Sequence, residues 1–148
     1  MKLDRIAGID TDAIFLRVML MQEMKDLIVK LNQGQMYDLG IDSKGNSLGD
    51  YTPFSAMMKD KAGQRNDHIT LLDKGIFYGS MEVVEKDGDG VVVAADMQKP
   101  DQNLEDRWPD ALGLTQESIE AIRPLFKQLF IVEWRKEVNM ILYGKKAA

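Results

Sequence analysis

The carboxylates of Glu85-Lys86-Asp87-Gly88-Asp89-Gly90, with Val92 and Asp96 beyond them, are spaced like the ligands of a calcium loop. Glu85, Asp87, Asp89, Gly90 and Asp96 match five of its positions, where oxygens converge on a hard cation. A calcium loop of this kind also needs a helix on each side and usually a bidentate Glu at its end. Here both flanks are rich in Val, and alternate side chains of a strand point to opposite faces and cannot wrap an ion. The segment therefore reads as a β-hairpin, with strands at residues 81 to 86 and 90 to 95 around an Asp-Gly turn. No metal and no cofactor is expected.

Other chemistry is as thinly provided. His68 is the only histidine and there is no cysteine, so thiol catalysis is excluded, and nucleophilic triads and His-based zinc sites would need more partners than one His and no Cys provide. Beside Asp67 and Thr70, His68 reads as a polar loop residue. The carboxylates are many, but none is spaced to pair with another inside an apolar pocket, as a two-carboxylate hydrolase requires. Lys59, Lys61 and Arg65 form a small basic cluster near Lys44. It reads as a solvated loop, with contact to an acidic partner surface or to DNA backbone as the alternative. Trp108, before Pro109 in a polar stretch, either caps the core or anchors an interface, where Trp is often a hot spot.

With no catalytic set in view, the elements carry the argument. The chain has 148 residues, 45% hydrophobic and 29% charged, which bounds it to a single domain over 1–148 with a real core. Its formal charge of −5 counts against a general nucleic-acid binder. The lack of cysteine suits a reducing cytosol. The start, Met1-Lys2-Leu3-Asp4-Arg5, has no apolar h-region, and the run from Ala13 to Met21 is too short and too charged to span a bilayer. Ten methionines read as flexible core filler or as a soft binding surface.

Residues 12 to 33 read as one long helix, capped by Asp10 or Thr11 and stopped by Gly34. Ile14, Val18, Met21, Met24, Ile28 and Leu31 form its core stripe. Phe15, Met19, Leu20 and Leu27 widen the apolar surface beyond the one face a surface helix needs. Phe15, Met19 and Leu20, with Trp108, are therefore the candidate interface residues. Residues 42 to 46 form a turn and residues 55 to 61 a short helix. A helical turn is expected within residues 70 to 80, capped by Thr70. Residues 99 to 112 read as a loop with one extended piece. Thr115 caps a final helical region. Pro124 is expected to split it into a short helix over residues 116 to 122 and a long one to about Leu142. The tail from Gly144 is expected to fray. The fold class is α+β: an antiparallel β-sheet packed against a long N-terminal helix and a kinked C-terminal helix.

Two segments carry a family resemblance. One is Leu48-Gly49-Asp50-Tyr51-Thr52-Pro53, followed by Ile69-Thr70-Leu71-Leu72-Asp73-Lys74-Gly75-Ile76-Phe77-Tyr78-Gly79-Ser80. The other is Arg107-Trp108-Pro109-Asp110-Ala111-Leu112-Gly113-Leu114-Thr115-Gln116-Glu117-Ser118-Ile119-Glu120-Ala121-Ile122. They resemble the T-L-x-D-T-G-x-F-x-x-S and R-x-F-L-G-L-S-x-x-D-x-x-x-I segments of tailed-bacteriophage tail-completion and virion-morphogenesis proteins. Lys74 stands where that pattern has Thr, and Ala111 where it has a larger apolar residue. The resemblance covers most of the chain. It implies a structural virion protein and no enzyme: a small α+β domain whose copies form a homo-oligomeric ring at the head–tail junction or the tail top. Its partners would be further copies and the neighbouring neck, portal or tail proteins. The subunit would be assembled in the host cytoplasm, without a membrane. DNA would pass the lumen without specific binding, helped by an acidic wall that repels phosphate. The alternative is a small soluble enzyme or regulatory module.

Overall fold

The computed structural model describes residues 2–144. The chain runs α1 (Lys2–Ala7), α2 (Thr11–Met19), α3 (Gln22–Gly34), a π-helical turn (Gln35–Leu39), α4 (Pro53–Lys61) and α5 (Ile76–Gly79). It continues through β1 (Glu82–Lys86), β2 (Gly90–Ala94), α6 (Leu104–Arg107) and α7 (Gln116–Tyr143). The fold is α+β, and the two strands form an antiparallel sheet paired from Glu82↔Ala94 to Lys86↔Gly90. The turn between them has Asp87 at φ 56° and Gly88 at φ 75°. Asx and Gly residues reach that left-handed region at low cost, and the hairpin twist demands it.

The first helix is not one rod. The amide of Leu20 closes α2 on the Leu16 and Val18 carbonyls, and Met21 is extended at ψ 142° before α3 begins. A straight helix presents one face to one core, and this stretch is apolar on two. The break lets Ile14 and Val18 before it, and Met24 and Ile28 after it, all reach the same interior. Gly34 does not stop α3. It is helical at φ −62°, the chain widens into the π-helical turn, and Gly40 at φ 63° ends it.

Pro124 does not split the last helix either. α7 runs unbroken for 28 residues behind a Thr115 cap, whose hydroxyl accepts from the Ser118 amide. Proline removes one backbone hydrogen bond. Burial of Ile122 and packing of Leu125, Phe126 and Leu129 against the core offset that loss. Gly144, at φ 67°, caps the helix C-terminus; the rest of the tail lies outside the described residues.

In the middle of the chain, Thr52 rather than Ser55 opens the helix of that region, with Pro53 in its first turn. Thr70 caps no helix. It is buried in irregular chain, where its hydroxyl accepts from the Leu72 amide, and α5 follows Gly75 instead. The loop after Lys99 contains α6, capped by the Asn103 side chain.

Two apolar clusters form the core. One gathers Met36, Leu48, Ile69, Leu71, Phe77 and Leu104; the other gathers Ile14, Val18, Met24, Ile28, Val83 and Ile122. Val29 and Val93 pack against both. A pair of buried amides ties the long loop to this frame. Asn32 Nδ2 donates to the Ala111 carbonyl at 2.9 Å, and its Oδ1 accepts from the Gly113 amide at 2.8 Å. Gln35 Nε2 donates to the Gly113 carbonyl at 3.0 Å, and its Oε1 accepts from the Thr115 amide at 2.9 Å. The two side chains act as a substitute strand for residues 111 to 115. They thereby set where α7 starts.

Candidate apolar docking groove

An open apolar groove of about 500 Å³ lies between α2, the hairpin and the first turns of α7. Its floor is Met19, Ile28, Val83 and Ile122, all buried, and its lip is formed by Phe15, Val92 and Ile119, all exposed. Phe15 leans on Phe126 with ring centroids 5.4 Å apart, and Phe126 continues to Phe130 at 5.6 Å. Tilted aromatic pairs of this spacing are favourable beyond their buried area. The one charged lining residue is Arg123, whose guanidinium pairs with Glu120 at 3.2 Å. Such a groove has no acid, base or nucleophile to offer a substrate. It can take up apolar matter, at roughly 25 cal/mol for each Å² withdrawn from water.

The four residues singled out from the sequence do not form one surface. Phe15 and Met19 both line the groove, Phe15 at its lip and Met19 on its floor at 8% exposure. Leu20 is half-buried at the end of α2 and does not line it. Trp108 packs against the other cluster, and its indole N–H donates to the Leu48 carbonyl at 2.9 Å.

A second cleft, of about 370 Å³, is polar and lies where α4 meets the loop around α6. Lys59, Lys99, Asp73, Asp101 and Arg107 line it. Its groups are largely committed to one another. Lys59 donates to the Leu72 carbonyl, Lys99 faces Asp73 at 3.8 Å, and Arg107 stacks over the Trp108 ring at 4.5 Å. Two of the basic side chains nearby are similarly engaged. Lys44 pairs with Asp110 at 3.2 Å, and Arg65 pairs with Asp67 at 2.7 Å. The Arg65 hydrogen bond holds the Asp67 carboxyl below its ordinary range, and the same bond raises Arg65. His68 is structural: its Nε2 donates to the Tyr37 carbonyl at 2.7 Å, bracing the π-helical turn. Among the described residues, no three His, Asp or Glu side chains converge where a metal ion could sit.

Sequence reasoning missed an exposed apolar helix face. α4 buries none of its residues, and Phe54, Met57 and Met58 stand 68%, 46% and 49% exposed. The signal was legible, since these three lie at positions i, i+3 and i+4 of one short helix, where side chains share a face. The chain matches no family model, no curated protein and no solved structure. No helix among the described residues is long and apolar enough to cross a membrane.

Proposed function

We propose that the protein is a structural subunit of a tailed-phage virion. It would be one copy in an oligomeric ring at the head–tail junction or tail top, joining capsid and portal to tail and acting by contact rather than turnover. The observation that carries this reading is the open groove with an apolar floor and a single, already paired, charged lining group. Exposed apolar patches of that kind mark sites that other surfaces cover. The sequence resemblance at residues 48 to 53, 69 to 80 and 107 to 122 supplies the place in the particle. The net charge of −5 suits a lumen wall that lets DNA slide past.

The enzyme alternative would have to use the polar cleft. There the lysines are occupied by a backbone carbonyl and a carboxylate, and the Ser55 hydroxyl accepts from that of Thr52. Light scattering and negative-stain imaging of the full chain test the assembly reading. Concentration-dependent closed rings are expected. A monomer at every concentration would overturn it.

A further inference from the structure

The chain carries two unpartnered apolar features of opposite shape. One is the concave groove between α2, the hairpin and α7; the other is the convex face of α4. They cannot meet within one molecule. α4 is held at the polar cleft, where Lys59 donates to the Leu72 carbonyl and Asn66 donates to the Ala56 carbonyl. Its Thr52, Ser55 and Lys59 line that cleft, and no residue of α4 lines the groove.

Their charges are also complementary. β1 and β2, which line the groove through Val83 and Val91 to Val93, also carry Glu82 and Glu85 against Lys86. The turn between them carries Asp87 and Asp89, and α7 adds Glu117 beside Ile119, while the lining Arg123 is already paired with Glu120. Glu82, Glu85, Asp87, Asp89 and Glu117 are all exposed and enter no ion pair among the described residues. α4 carries Lys59 and Lys61 in its last turn against Asp60. Lys61 is exposed, next in line after the apolar residues that project from the helix.

We propose that α4 of one copy docks in the groove of the next, with Phe54, Met57 and Met58 entering the apolar floor and Lys61 meeting the acidic border. Two different patches that fit each other make a head-to-tail contact, which closes into a ring when the rotation between copies allows it. Methionines at the contact suit it, because their unbranched, polarisable side chains adapt to an irregular groove. This deepens the assembly reading, on which it rests, by naming the two surfaces that meet.

The test uses two variants of the full chain. Phe54→Glu/Met58→Glu spoils the helix and leaves the groove. Val92→Glu/Ile119→Glu spoils the groove lip and leaves the helix. All four positions are at least 38% exposed, so each variant is expected to melt as the wild type does. Each alone should associate about a hundredfold more weakly than the wild type, since an unpaired carboxylate would have to be buried at the contact. Mixed one to one, they still offer one intact helix and one intact groove. They should form a heterodimer and nothing larger in light scattering. A mixture that stays monomeric would overturn the docking proposal. So would a helix variant that assembles like the wild type, and in that case the ring reading itself would stand. A wild-type chain that is monomeric at every concentration would overturn both.

Discussion

Asn32 is the most economical place to disturb this fold. Its side chain is fully buried, and it satisfies one buried carbonyl and one loop amide. Asn32→Ala leaves the Ala111 carbonyl and the Gly113 amide without partners. Each orphaned backbone group costs about 1–3 kcal/mol. The expected loss is therefore about 2–6 kcal/mol, a large share of the roughly 5–15 kcal/mol that holds a domain of this size together. Asn32→Asp separates the two halves of the interaction. It retains an acceptor for Gly113, but it removes the donor to Ala111 and buries a charge. It should be worse than Ala at neutral pH. It should recover as the pH falls, because a protonated carboxyl can donate to the Ala111 carbonyl again. Gln35 grips the same loop, so Gln35→Ala combined with Asn32→Ala should deviate from additivity by at least about 0.5 kcal/mol. Urea titration followed by circular dichroism gives the energies, and hydrogen exchange at Gly113 and Thr115 gives the local opening. If Asn32→Ala costs less than about 0.5 kcal/mol and Gly113 exchanges as before, the two amides do not hold the loop and α7 is positioned by packing alone.

Met19→Glu, at the floor of the groove, should lower stability by several kcal/mol because the carboxylate would sit among apolar groups; a melting temperature equal to the wild type's would remove Met19 from the core. Gly40→Ala should cost at least about 1 kcal/mol, since its φ of 63° disfavours a side chain and the added Cβ would lie 2.6 Å from His68 Cδ2. His68→Ala should cost less stability in the Gly40→Ala background than in the wild type, because there it also relieves the contact, and urea titrations giving the same cost in both backgrounds would refute the clash. Burial pushes the Tyr78 phenol above its ordinary range, and its hydroxyl donates to the Thr70 carbonyl. The folded chain thus holds this proton more tightly than the unfolded one, so stability is level below about pH 10 and falls as the pH rises further. Tyr78→Phe should flatten that fall in urea titrations between about pH 8 and about pH 11, and an unchanged slope would show that Tyr78 does not cause it.

Local signals were sufficient wherever a few neighbouring residues decide the conformation. The hairpin is one such place, because β-branched Val runs on either side of Asp87-Gly88 leave the backbone few other options. The Thr115 cap is another, as a hydroxyl at that spacing satisfies an amide that the helix itself cannot.

Tertiary packing decided the rest. Residues 12 to 33 have the pattern of one helix, and only the need to bring Ile14 and Met24 to a common interior breaks it at Leu20 and Met21. Pro124 should end a helix by local rules, yet long-range burial of Ile122 and its neighbours outweighs one missing hydrogen bond. Asn32 and Gln35 looked like ordinary polar helix residues, since their partners lie 78 to 81 positions away. The groove is the same kind of object. Phe15, Val83 and Ile119 come from three separate stretches of chain, and what joins them is the way the hairpin lies between α2 and α7. Composition and spacing set which residues seek burial. The packed backbone determines which of them find it within the chain, and which are left facing outward.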